Sequence, residues 1–162
     1  MTRPRAGIPR EAPELEMLAA FLDWLRESMV HKVEGLSEED ARRKLVPSST
    51  TPIGLLKHLA YVERWWFQHH FAGRDVELGP EDDSDFVAER DETLDRIIGF
   101  YRSECNESRA VIAGASPEDH AKSADRSDHT LRWIMVHMIE ETARHAGHAD
   151  ILREQIDGST GE

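Results

Sequence analysis

The chain has 162 residues, a formal net charge of −12 at pH 7 and a single cysteine. That length suits one domain with a substantial core, and the acidic balance argues against nucleic acid as a partner, since phosphate binding needs a positive surface. With only Cys105 present, an intramolecular disulfide is excluded and a reducing compartment fits.

Residues 1–12 read as a flexible arm. The run Met1 to Arg10 carries charge but no apolar h-region, so it does not resemble a signal peptide. No apolar run approaches the roughly 20 residues that span a bilayer. A soluble, cytoplasmic protein without a membrane partner is expected.

The first predicted helix runs from about Pro13 to Val33. Leu15, Leu18, Phe21, Leu22, Leu25 and Met29 recur there at helical steps, and Gly35 ends it. A short helical turn is predicted from Ser37 to Leu45, with Ser37 as N-cap. The second long helix starts at Ser48-Ser49-Thr50-Thr51, with Pro52 in its first turn, and continues to about Phe71 before Gly73. The acidic stretch Glu77 to Asp85 is the longest expected loop. Its Glu81, Asp82, Asp83 and Asp85 lack the spacing and the Gly of a calcium loop, so they read as a solvated charge run. The third helix is expected from about Asp85 to Ala113, with Val87, Leu94, Ile97, Ile98, Tyr101 and Val111 on its apolar side. A polar connection, Ala115 to Asp128, leads into a fourth helix from Thr130 to Gln155, closed near Asp157-Gly158. The tail, 159–162, should fray.

Residues 13–158 therefore read as a single all-α domain, a four-helix bundle whose long connections permit a crossover. Phe21, Trp24, Phe100 and Tyr101 stand at several angles around the first and third helices. A homodimer packed through helices is expected from that surplus.

The fourth helix carries the most informative pattern. His137, Glu141, His145 and His148 follow one another at steps of four, four and three, which places them on one stripe. Ile134 and Leu152 share that stripe, so the ionisable groups point toward a core. Burying such groups is costly unless they are satisfied, and a divalent ion satisfies imidazole and carboxylate together. His58 on the second helix shares a face with Leu55, Leu59, Val62 and Trp66 and supplies a ligand from another element. His58, Glu141 and His145 would leave an open position, as catalytic zinc sites do. His137 is a candidate hydrogen-bond partner for Glu141, and His148 a candidate fourth ligand or proton carrier; spacing does not order the two. The plainer alternative is a hydrogen-bonded polar network without metal.

Other residues carry weaker signals. Trp65 and Trp66 read as core and bundle-end packing. His69 and His70 end the second helix, where they favour its dipole. Cys105 has Arg102 and Arg109 as basic neighbours on its own helix and no further sign of activation.

The stretch from Thr130 to Arg153 resembles the last helix of the DinB superfamily. The segment Thr51-Pro52-Ile53-Gly54-Leu55-Leu56-Lys57-His58-Leu59, with Glu63 and Trp66, resembles that superfamily's second helix. Within the superfamily the chain looks closest to a branch without an assigned reaction. The resemblance covers nearly the whole chain after about Pro13. It implies a DinB/YfiT-like four-helix bundle with a divalent metal, Zn²⁺ or Ni²⁺, held by one His of the second helix and a His-x-x-x-His pair of the fourth. Here the first ligand falls on His58 and the last on His145. The first of the pair falls on Glu141, a departure that resembles the mycothiol-dependent maleylpyruvate isomerase relatives, with two His and a Glu. On that likeness, His137 and His148 matter less to the metal. The resemblance implies a low-molecular-weight-thiol-dependent S-transferase or isomerase, with a small-molecule thiol and an electrophile as partners. The alternatives are a metal-dependent hydrolase and a non-catalytic metal-binding or dimerisation bundle.

Overall fold

A computed structural model describes residues 8–80 and 82–161. Residues 1–7 of the expected arm, Glu81 of the acidic loop and Glu162 of the tail lie outside the described residues. The described chain is all-helical and contains no strand. One isolated antiparallel bridge joins His120 to Thr130.

Helix α1 spans Glu14–Val33, with Glu14 and Glu16 in its first turn and His31 and Lys32 in its last, both favourable to the helix dipole. Helix α2 is a single turn, Glu38–Ala41, shorter than the expected Ser37 to Leu45. The Ser37 side chain caps it by accepting from the Asp40 amide. Helix α3, Pro52–Glu63, begins at Thr51, whose hydroxyl accepts from the Gly54 amide at 3.1 Å. Pro52 adds a pre-set φ at the first turn, where its missing N–H is no loss. The axis then continues without a break into a wider π-helical stretch, Arg64–Phe71. A 3₁₀ turn, Asp83–Phe86, follows the loop. Helix α4 spans Leu94–Ile112. Helix α5, Leu131–Asp157, is capped by Thr130, which accepts from the Trp133 amide at 3.3 Å.

The start of α4 differs from the expected Asp85. The carbonyls before it are engaged elsewhere. Lys57 Nζ donates to Val87 O at 2.9 Å, and Arg42 donates to the carbonyls of Ala88, Glu89 and Glu92. Backbone groups satisfied by side chains have no need of a helical ladder. Thr93 then caps the helix by accepting from the Arg96 amide.

The closest pairings are α1 along α5 and α3 along α4. Two apolar clusters fill the interior. One gathers Met29, Leu55, Leu56, Leu59, Ile97, Tyr101, Ala149 and Leu152. The other gathers Leu22, Trp66, Phe67, Leu131, Ile134, Met135 and Met138. Along α5, Glu141 and His145 fall between Met138 of the second cluster and Ala146 of the first. Buried ion pairs cross-link the helices. Arg26 of α1 makes a two-pronged bond to Glu63, at 2.7 and 2.5 Å. Glu104 of α4 accepts from Arg64 and Gln68 of the π stretch.

Two glycines let the long connection lie against α3. At Gly54 a Cβ would stand 2.0 Å from the Phe86 carbonyl oxygen, so only a glycine lets the 3₁₀ turn come this close. At Gly79, φ is +83°, and a Cβ would stand 2.5 Å from the Tyr61 ring.

Candidate functional site

Helix α3 offers His58 and α5 offers Glu141 and His145, one turn apart. One ligand atom from each of the three lies within 4.8 Å of the others, and among the described residues no other such metal-capable group occurs. Both imidazoles address the same carboxylate oxygen. His145 Nε2 stands 3.0 Å from Glu141 Oε1, and His58 Nε2 stands 3.5 Å from it. The two rings meet edge to face, with centroids 5.0 Å apart. His145 is buried, and His58 and Glu141 are half-buried.

The electrostatics follow from this contact. Hydrogen bonds from His145 and His58 hold the Glu141 carboxyl far below the usual carboxylate range, although burial pushes the other way. Burial alone would lower the His58 imidazole. The bonds and charges of Glu141 and Asp85 outweigh it and raise the ring above its ordinary value.

Asp85 was not foreseen as part of this site. His58 Nδ1 donates to Asp85 Oδ2 at 2.6 Å, and the next residue, Phe86, stacks on the His58 ring at 4.0 Å and 17°. The sequence offers Asp85 only as one acid in an acidic run, 27 residues from its partner. No periodicity connects a loop to a helix face.

A cavity of about 640 Å³ opens onto the cluster. Tyr61, Val62, Trp65 and Trp66 form one wall, and Leu78, Gly79 and Pro80 form another. His58, Asp85, His137 and Glu141 supply its polar surface. Trp65 and Trp66 thus do more than the core packing expected of them. Trp66 packs in the second apolar cluster and also faces the cavity.

The remaining histidines separate. His137 lines the cavity, stacked on Trp133 and edge-on to Trp66. Its Nδ1 lies 3.9 Å from Glu140, and it does not join the three-residue group. His148 is exposed, with its ring 5.5 Å from that of His145. His69 and His70 lie in the last turn of the π-helical stretch as expected, but His70 turns inward. It is buried, its Nδ1 is 2.7 Å from Ser123 Oγ, and Trp65 packs edge-on to it. Cys105 is buried away from the site, and burial together with the nearby Glu63 pushes its thiol well above the ordinary range despite Arg26 and Arg109. The basic neighbours do not activate it.

An all-helical protein with a His/Glu/His cluster beneath an aromatic-walled cavity is the class that fold and site define. Residues 17–158 match the family model described as mycothiol-S-transferase. The chain belongs to that family, within the DinB/YfiT-like superfamily. No individual curated protein matches it. No helix of the described residues is long and apolar enough to cross a membrane.

Proposed function

We propose that this chain is a divalent-metal-dependent S-transferase that joins mycothiol, or a closely similar low-molecular-weight thiol, to an electrophile. The observation that carries this is the convergence of His58 Nε2, His145 Nε2 and Glu141 Oε1 beside the cavity. Two imidazole nitrogens turned toward one ionised carboxylate oxygen suit Zn²⁺ or Ni²⁺ in donor type and in charge. A bound ion would supply Lewis acidity that makes a thiolate available near neutral pH.

The chain's own residues supply the rest. Tyr61, Trp65, Trp66, Leu78 and Pro80 form an apolar enclosure that limits water and holds the bodies of both reactants. The described lining contains Asp85 and Glu141 but no Lys or Arg, so an uncharged molecule enters at lower electrostatic cost than an anionic one. In the overall reaction a carbon–sulfur bond forms, the leaving group departs with its electron pair, and the thiol proton passes to solvent.

We place this activity in a single cytoplasmic domain over residues 13–158, a four-helix bundle with a crossover of the DinB/YfiT type, acting as a homodimer. The test is consumption of mycothiol in the presence of 1-chloro-2,4-dinitrobenzene, with protein loaded with Zn²⁺ or Ni²⁺ and with chelated protein. Thioether formation that disappears on chelation supports the proposal. Ester or amide turnover without any thiol dependence would assign a hydrolase instead.

A further inference from the structure

We infer that Asp85 is a positioning residue, which fixes the ring of His58 so that Nε2, and not Nδ1, faces Glu141 and His145. This rests on the metal reading given above. An ionised carboxylate only accepts hydrogen bonds. The 2.6 Å contact between Asp85 Oδ2 and His58 Nδ1 therefore holds a hydrogen on Nδ1, so the proton that an incoming ion would displace is the one on Nε2, facing Glu141. Glu141 is a weaker competitor for a proton on that ring, since its oxygen lies 3.5 Å from Nε2.

The carboxylate is itself held in place. The Asp83–Phe86 turn is pressed onto α3 where Gly54 leaves room for the Phe86 carbonyl. Lys57 Nζ takes the next carbonyl, that of Val87. Arg42 takes those of Ala88 and Glu92. Phe86 stacks flat on His58, so the ring is clamped at its face as well as at Nδ1. A half-turn of the His58 ring would take Nδ1 away from Asp85 and lose that bond.

His145 has no equivalent support, because its Nδ1 is buried without a hydrogen-bond partner. The two imidazoles are thus unequally oriented, and the loop does for His58 what nothing in the described chain does for His145. Partners that orient a ligating histidine typically change metal affinity by about 10- to 100-fold when removed.

The test measures Zn²⁺ affinity by competition with a chromophoric chelator for the wild type, Asp85→Ala and Asp85→Asn. Circular dichroism of each metal-free chain checks folding. We expect Asp85→Ala to bind about 10- to 100-fold more weakly. Asp85→Asn, which keeps an acceptor for the Nδ1 hydrogen, should recover part of that loss. The visible spectrum of the Co²⁺-loaded Ala variant should also differ from the wild type, which a loop serving only stability would not produce. A folded Asp85→Ala within about threefold of a tightly binding wild type overturns this inference alone. An Asn variant no better than a folded Ala variant also overturns it. A wild type that takes up no metal overturns the metal reading beneath it. Should Asp85→Ala fail to fold, Asp85→Asn decides: a loss of about threefold or more supports the assignment, and an unchanged affinity contradicts it.

Discussion

Glu141 stands between two imidazoles, and its removal leaves His58 and His145 facing each other without the charge that draws them together. Glu141→Ala, His58→Ala and His145→Ala should therefore each weaken Zn²⁺ binding more than His137→Ala or His148→Ala. His137 is engaged with Trp133 and Trp66, and His148 is exposed. Chelator competition on the five variants checks the order, and a His148→Ala variant weaker than Glu141→Ala would reverse it. His70 predicts a pH effect on stability. Burial, with His69, Arg126 and His129 nearby, lowers its imidazole below the ordinary value, and Asp125 offsets only part of this. The unfolded chain then binds the proton more readily than the folded one. The contribution of His70 to stability is full above its unfolded pKa, about 6.5, and is lost as pH falls from there through the lowered folded value. Urea midpoints at pH 7.5 and 5.5 should fall less in His70→Asn than in the wild type. An equal fall in both would contradict the assignment.

At the scale of elements, the sequence was legible where helical spacing and caps agree. The Thr51-Pro52 start of α3 and the start of α5 beside Thr130 stand where expected. The step of four between Glu141 and His145 made their common face readable, and the apolar partners of His58 indicated its direction. The start of α4 was not legible, because Lys57 and Arg42 come from distant parts of the chain to take the carbonyls before it. The π-helical widening after Glu63 has no signal in residue type either. Asp85 escaped notice for the same reason as the α4 start: its role depends on a loop pressed against α3 at Gly54. That contact gives a sharp test. Gly54→Ala would put a methyl group 2.0 Å from a backbone oxygen, which cannot swing aside as a side-chain end can. Overpacking of this kind typically costs about 1–3 kcal/mol. We expect Gly54→Ala to lose stability in that range by urea unfolding and to bind Zn²⁺ more weakly through the displaced Asp85 and Phe86. Wild-type stability and affinity in this variant would show that the turn is not held as described.

For the whole molecule, the apolar surplus expected on the first and third helices is partly used inside the chain. Tyr101 is fully buried, and Trp24 and Phe100 are half-buried. Among the described residues the large exposed apolar side chains are Phe21 of α1, as expected, together with Val87 before α4 and Trp133, Val136 and Ile151 of α5. The proposed homodimer would draw on that set. Light scattering at micromolar concentration should give twice the mass of the 18.5 kDa chain, with Trp133→Ser shifting it toward monomer; a monomeric wild type would remove the dimer. The site itself stands without it, since His58, Glu141 and His145 come from one chain. The most direct test of the central claim is titration of mycothiol into the Co²⁺-loaded protein, followed by near-ultraviolet absorption. The proposed metal site of His58, Glu141 and His145 beside the cavity predicts a sulfur-to-metal charge-transfer band that saturates with stoichiometric thiol and is absent in His58→Ala. A chain that holds Co²⁺ yet shows no such band, or that takes up no Co²⁺ at all, would contradict it.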